Sequence, residues 1–139
     1  MKLNFVAAAA GPHPHQIDGE VINGFDFGPL EHGGVYVPTD ATLEAGIRAA
    51  HRDADGVLRV TLTERCIAGR YPARGAHWRG SEQEIDAADY DPSVCHIEPT
   101  GMAGLVEGVD YRVVWGESIL PPESGWTVEK IEQEAEIDG

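Results

Sequence analysis

Apolar and polar side chains alternate most clearly in the middle of the chain. Leu58, Val60 and Leu62 are separated by polar residues, the period of two that buries one face of a β-strand and wets the other. The preceding dipeptide Asp55-Gly56 is typical of a tight turn, because glycine accepts a positive φ. The pattern predicts a half-exposed strand that follows a turn and continues toward Ile67.

Shorter apolar runs on both sides predict further elements. Strands are indicated at 17–22, 35–37, 94–97, 109–115 and 126–128. Residues 41–51 are predicted to form one short helix. Leu43, Ile47 and Ala50 fall on one stripe of the 3.6-residue repeat, and residues 39 and 40 are of the types that cap a helix.

The composition fits one small domain rather than a helical bundle. A chain of 139 residues with 17 glycines and 9 prolines favours many short strands and turns. We expect a mainly β or α+β fold, a single domain of short antiparallel strands with one short helix and long irregular loops. Its predicted divisions are an N-terminal arm at 1–16, a β core at 17–67, an irregular loop at 68–93, further strands at 94–128 and an acidic tail at 129–139. Within the arm, Leu3, Phe5 and the alanines that follow could instead form a first strand.

The net charge of −14 argues against a nucleic-acid binder, because phosphate binding needs a basic surface. The charge is also unevenly placed, since residues 82–139 carry fifteen acids and two bases. Seven arginines lie between Arg48 and Arg79. This asymmetry has two interpretations: a solvated acidic surface, or copies of the chain that dock basic zone to acidic zone.

Metal binding has weak support, and we predict neither a metal site nor a cofactor. His13 and His15 lie in a proline-broken segment that we expect to be a surface loop whose histidines matter little for stability. Cys95 and His96 are adjacent, so a strand would point them to opposite faces. Two arrangements stay open: histidines assembled from distant parts of the chain, and a cation held by Asp86, Asp89 and Asp91.

Catalytic motifs are also missing from the sequence, so we expect no enzyme. No serine occupies a Gly-x-Ser-x-Gly elbow and no glycine-rich loop leads into a Lys-Ser/Thr helix start. Cys66 and Cys95 belong to no C-x-x-C motif and are expected to be reduced, semi-buried thiols. No apolar run approaches the length of a membrane span.

The loop between Arg70 and Trp78 is the candidate interface. Arginine, tyrosine and tryptophan are enriched at protein–protein hot spots because they combine apolar area with a polar group. The candidate interface residues are Arg70, Tyr71, Arg74 and Trp78. An alternative for Trp78 is that it packs back on its own sheet.

Two stretches resemble a known class of proteins. Residues 22–38 read INGFDFGPLEHGGVYVP, and residues 55–62 read DGVLRVTL. They resemble small proteins encoded in the tail regions of bacteriophages and prophages, in which N-G-F-x-x-x-P-L-x-x-G leads to V-P or L-P, a helix, and D-G-V-L-x-x-T-L. The resemblance covers residues 22–63 and carries no functional residue with it.

The resemblance implies a structural or assembly protein of a virion, near the tail tip or its fibres. We therefore expect a non-enzymatic structural protein of a tailed phage particle, located in the virion and bound to other tail subunits or to copies of itself. Two alternatives stay open. One is a tail-assembly chaperone absent from the mature particle, and the other is a small metal-dependent enzyme or binding domain that uses the histidines and the acidic loop.

The alternation in the central strand gives a direct test. Val60→Ile should be tolerated, whereas Val60→Asp would bury an unpaired charge and should abolish soluble folding. Thr61→Asp, on the opposite face, should cost far less. Soluble yield and thermal melting compare the variants, and equal damage from both aspartates would show that the strand is buried on two faces.

Overall fold

A computed structural model describes residues 1–8, 10–67, 77–78, 84–100, 104–119 and 122–131. Within these residues the fold is mainly β with one short α-helix, which confirms the predicted class. No helix in the described part is long and apolar enough to cross a membrane. The strands are β1 (Lys2–Ala8), β2 (Ile17–Asp18), β3 (Val21–Ile22), β4 (Phe25–Asp26), β5 (Val35–Tyr36), β6 (Ile47–Arg52), β7 (Leu58–Arg65), β8 (His77–Trp78), β9 (Ile85–Asp86), β10 (Pro99–Thr100), β11 (Tyr111–Ile119) and β12 (Pro122–Lys130).

A five-stranded sheet in the order β5-β6-β7-β1-β9 forms the centre of the fold. Strand β7 pairs antiparallel with β6 and parallel with β1, with Lys2 opposite Arg59 and Ala8 opposite Arg65. The other ladders are antiparallel, as the sequence pattern suggests. Residues 1–16 therefore do not form an arm: β1 is an interior strand of the main sheet.

One face of the main sheet carries the core. Leu58, Val60 and Leu62 are fully buried there beside Leu3 and Phe5 of β1. The predicted phase of β7 is therefore confirmed. The core is completed by the three-stranded sheet β2-β3-β4 and by the hairpin of β11 and β12, whose contributions include Ile22, Phe27, Val113, Trp115 and Trp126.

The helix α1 (Asp40–Glu44) is shorter than predicted for residues 41–51. Thr39 caps it, since its hydroxyl accepts the Thr42 backbone N–H. Gly46 ends it with a φ of +81°, a conformation that favours glycine. A Cβ at Gly46 would also lie 2.7 Å from the Thr63 hydroxyl oxygen. The backbone then enters β6, where the pattern predicted continued helix.

A β-bulge explains why the pattern of β6 imitates a helix. Ile47 pairs with Leu62 and Ala49 pairs with Thr61, so one residue of β6 has no opposite partner. Beyond the bulge the side-chain phase is shifted, and Ile47 and Ala50 are both buried although they are three residues apart. That spacing is also the spacing of a helical stripe.

The histidines of the proline-broken segment pack against the fold, with His15 buried and His13 half-buried, which corrects the expectation of a surface loop. The ring of His15 is buried, its Nε2–H donates to the carbonyl of Thr63 (2.7 Å), and its Nδ1 accepts from the Asn23 amide (3.0 Å). Burial lowers the pKa of His15, which favours this neutral form. The ring of His13 stacks on Trp115 with 4.1 Å between centroids.

The remaining predicted divisions are described in part. Strand β8 and residues 84–93, which contain β9 and a 3-10 turn at Ala87–Asp89, fall within the predicted irregular loop. Residues 68–76, 79–83 and 132–139 lie outside the described residues. The last strand runs to Lys130, so the acidic segment does not begin at residue 129 as a separate tail.

Arg52 joins the loops at one end of the main sheet. Its side chain is 8% exposed and uses all of its N–H groups. Two of them pair with the Glu20 carboxylate at 2.9 and 3.0 Å, and others donate to the carbonyls of Phe27, Leu30 and Gly56. Hydrogen bonds from Arg52 lower the pKa of Glu20. This one guanidinium therefore ties the segment from Glu20 to Leu30 to the turn at Gly56.

Replacing Arg52 with lysine tests this role. Lysine keeps the positive charge but has three N–H donors on one nitrogen instead of five on a planar group. Some of the acceptors of Arg52, which are the Glu20 carboxylate and three backbone carbonyls, therefore lose their hydrogen bonds. We expect Arg52→Lys to lower the Tm by roughly 10 °C. Arg48→Lys, at an exposed position on the same strand, is the matched control and should leave the Tm nearly unchanged. Equal melting of the two variants would contradict the role of Arg52.

Candidate functional site

A cleft of about 650 Å³ opens between the loop that follows the 3-10 turn and the hairpin of β11 and β12. The lining residues are Ser93, Val94, Cys95, His96, Ile97, Glu98, Pro99, Glu107, Tyr111, Val113 and Trp126.

The first wall is a turn-rich loop at residues 91–97, where the sequence pattern predicted a strand over 94–97. The Asp91 carboxylate accepts the backbone N–H of Ser93 (2.9 Å) and its hydroxyl (2.6 Å), which fixes a local turn. The ring of His96 then stacks on Phe5 at 4.9 Å between centroids. Because Phe5 belongs to β1, this stacking anchors the loop to the core face of the main sheet.

The second wall begins in a tight turn just before β11. Asp110 closes this turn: its carboxylate accepts the N–H of Val106 (2.8 Å), and its own N–H donates to the Val106 carbonyl (2.8 Å). Gly108 supplies the positive φ of 88° that the turn needs. The turn places Glu107 at the cleft beside Tyr111, which is the first residue of β11.

A buried carboxyl group lies behind the cleft. Glu64 of β7 is 2% exposed; it accepts the indole N–H of Trp126 (3.0 Å) and the backbone N–H of His96 (3.1 Å). Burial raises its pKa to about 6, and the two hydrogen bonds oppose that rise. Glu64 therefore links three parts of the molecule: the main sheet, the first wall and the hairpin.

Two thiols lie next to this carboxyl group. Cys66 is buried at the end of β7, and Cys95 is half-buried in the cleft wall. Both are free; Cys66 belongs to the apolar core, and Cys95 packs against that core. Interaction with the Cys95 side chain, with burial and the nearby Glu64 charge, raises the pKa of the Cys66 thiol.

The electrostatic character of the cleft is acidic. Burial raises the pKa of the Tyr111 phenol, and the charges of Glu107 and Glu98 raise it further. These two carboxylates therefore act on the same wall of the cleft. A cationic group that enters would meet the Glu107 carboxylate and an aromatic ring, a favourable combination for arginine or lysine.

The predicted interface residues are described only in part. Arg70, Tyr71 and Arg74 lie outside the described residues. Trp78 is half-buried, packs against the core, and donates its indole N–H to the Ile67 carbonyl (2.8 Å). Its strand β8 pairs with β10, whose Pro99 lines the cleft. Trp78 is the member of the predicted interface that the structure describes. It lies on a strand next to the cleft, and its ring faces the core.

Some arginines of the basic zone are already paired within the molecule. Arg52 is bound as described above, and Arg59 pairs with Asp53 and Glu84. These two arginines are therefore unavailable to the acidic zone of a second copy. Arg48 is exposed.

Sequence reasoning missed Glu64, although one feature pointed to it. Position 64 lies two residues beyond Leu62 and therefore on the same inward face as Leu58, Val60 and Leu62. A strand that extends to residue 64 must bury the carboxylate of Glu64. The groups that meet Glu64, the indole of Trp126 and the backbone of His96, come from distant segments that no local pattern connects. Among the described residues, no group of three or more His, Cys, Asp or Glu side chains is placed to hold a metal ion.

No protein-family model, curated protein or solved structure matches the chain. The tail-protein resemblance of residues 22–63 therefore stays a prediction.

The raised pKa of Glu64 predicts how stability depends on pH. The folded state binds the Glu64 proton more tightly than the unfolded state, whose pKa is the ordinary 4.5, so stability falls as pH rises through about 6. Relative to a non-titrating Glu64→Gln variant, the wild type should lose about 1.5 kcal/mol between pH 4.5 and 7.5. Urea unfolding of both proteins at each pH measures this difference.

The comparison with Glu64→Gln removes the contribution of histidines that titrate in the same range. Burial lowers the pKa values of His15 and His96, which acts in the opposite direction in both proteins and cancels in the difference. Glu31→Gln makes the same exchange at an exposed position and serves as the matched control. A constant difference between wild type and Glu64→Gln would show that the carboxyl group is not perturbed by burial.

Proposed function

We propose that this chain is a non-enzymatic structural protein of a tailed phage particle that acts through protein–protein contacts. We further propose that the acidic cleft receives a basic segment of a neighbouring tail subunit. The observation that carries the docking proposal is the cleft itself, which combines carboxylates, an aromatic wall and apolar rim residues. The phage assignment is supported by the resemblance of residues 22–63.

The surroundings of the cleft support a protein partner over a small molecule. Val94 lines the cleft and is exposed, and Val106 and Val109 are exposed in the turn that carries Glu107. Exposed apolar residues beside a polar depression are typical of interaction sites. A partner that covers these valines would remove apolar area from water while its basic group enters the cleft.

Charge supports a basic partner. The segment that forms both cleft walls belongs to residues 82–139, which carry fifteen acids against two bases. Such a field attracts a basic surface during encounter and sets its orientation, while buried apolar and aromatic contacts supply most of the affinity. The predicted interface at Arg70, Tyr71 and Arg74 lies outside the described residues and stays a prediction.

The test is the amount of each variant in purified particles of the encoding phage or prophage, measured by quantitative mass spectrometry. Glu107→Lys places a positive charge at the cleft and should weaken docking by roughly tenfold or more, about 1.4 kcal/mol per factor of ten. Glu31→Lys makes the same exchange at an exposed site outside the cleft and should incorporate normally.

Three outcomes would contradict parts of this proposal. Normal incorporation of folded Glu107→Lys would show that the cleft is not the docking site. Absence of the wild-type chain from particles, with recovery bound to tail proteins in lysates, would favour the assembly chaperone. Absence from both would contradict a role in the particle and in its assembly.

A further inference from the structure

The two cysteines form a spatial pair although they are 29 positions apart in sequence. Cys95 donates its S–H to the Ile97 carbonyl at 3.4 Å. Glu64, two residues before Cys66, accepts the backbone N–H of His96, the residue after Cys95, at 3.1 Å. Cys66 belongs to the apolar core and Cys95 packs against that core, so the two cysteines lie in one region of the fold before any chemical change.

The two thiols differ in access. Cys95 lines the cleft, so a small molecule that enters the cleft can reach its sulfur. Cys66 is 6% exposed and lies behind Cys95 at the end of β7. Burial and the interaction with Cys95 also keep Cys66 in its thiol form. Because only Cys95 of the two can be reached from the cleft, we expect Cys95 to react first with a small molecule.

We propose that Cys95 is a thiol-modification site for low-molecular-weight disulfides and that Cys66 is its resolving thiol. The Cys95 sulfur attacks one sulfur of a disulfide such as glutathione disulfide, forming a mixed disulfide and releasing one thiol that takes the Cys95 proton. Cys66 then attacks the Cys95 sulfur, forming the Cys66–Cys95 disulfide and releasing a second thiol that takes the Cys66 proton. The small disulfide is reduced by two electrons and the cysteine pair is oxidised by two.

The position of the pair gives this reaction a structural consequence. Cys66 lies at the end of β7, and Cys95 lies in the first cleft wall, which also carries His96. A disulfide would join that wall covalently to the main sheet, in addition to the hydrogen bond between His96 and Glu64. The oxidised protein should therefore hold its cleft wall more rigidly and resist unfolding more strongly.

Treatment of the reduced, folded protein with glutathione disulfide tests the proposal directly. In the wild type we expect the mixed disulfide to be transient and the final product to have lost two hydrogens in mass. Both cysteines should then resist alkylation after denaturation without reductant. The Tm should rise by several degrees and return to its starting value with dithiothreitol.

Single-cysteine variants separate the two roles. Cys66→Ser should stop at a stable glutathione adduct on Cys95, because the resolving thiol is missing. Cys95→Ser should stay unmodified while folded and react only after denaturation. Circular dichroism and melting curves establish that each variant is folded, and peptide mapping of briefly treated wild type reports the order of modification without any substitution.

Three results would overturn the proposal. The first is a wild-type product that keeps glutathione on Cys95, which would show that Cys66 does not resolve it. The second is modification of Cys66 at the same rate as Cys95 in the folded protein. The third is a folded wild type in which neither thiol reacts with glutathione disulfide.

Discussion

The structure depends on a single constraint: strand β7 is buried along one whole face and, toward its end, on the other face as well. Its inward phase is apolar until Glu64, where a carboxyl group takes the place of a core side chain. Thr63, on the opposite face, is covered by the close approach of Gly11 and Gly46. Neighbouring segments must therefore bring hydrogen-bond donors to the Glu64 carboxylate, because a buried charge without a partner is costly.

Several elements are placed by meeting this requirement. The hairpin brings the indole N–H of Trp126 to Glu64, and the first cleft wall brings the backbone N–H of His96. On the other side, His15 donates to the backbone carbonyl of Thr63, while the Thr63 hydroxyl has no hydrogen-bond partner within the described part of the chain. The cleft lies between the two segments that are hydrogen-bonded to Glu64. The need to pair this buried carboxylate therefore determines where the cleft forms.

Sequence alone predicted the parts of the fold that depend on local periodicity. The inward phase of β7 and the mainly β class follow from spacing two residues apart. The helix boundary did not, because the bulge in β6 places Ile47 and Ala50 on one face at a spacing that a helix shares. The parallel pairing of β1 with β7 has no local signal at all, since parallel partners are chosen by long-range packing.

The candidate site was harder to predict, for a related reason. Cys95 and His96 read as neighbours on opposite faces of a strand, whereas the Asp91 turn makes this segment a loop in which each faces a different partner. Of the residues at this site, only the burial of Glu64 could have been predicted from the period-two pattern, because position 64 shares the inward face of Leu58, Val60 and Leu62. The other groups of the site gather around it through tertiary contacts, and the burial that raises its pKa is a property of the folded molecule only.

The parallel pairing of β1 also bears on how the chain acquires its structure. Every pair in that ladder, from Lys2 with Arg59 to Ala8 with Arg65, joins positions separated by most of the first half of the chain. During synthesis β1 leaves the ribosome first and has an unpaired edge until β7 has followed it. The hairpins at 17–26 need no such wait. The central ladder therefore has high contact order, a property that slows the folding of small domains.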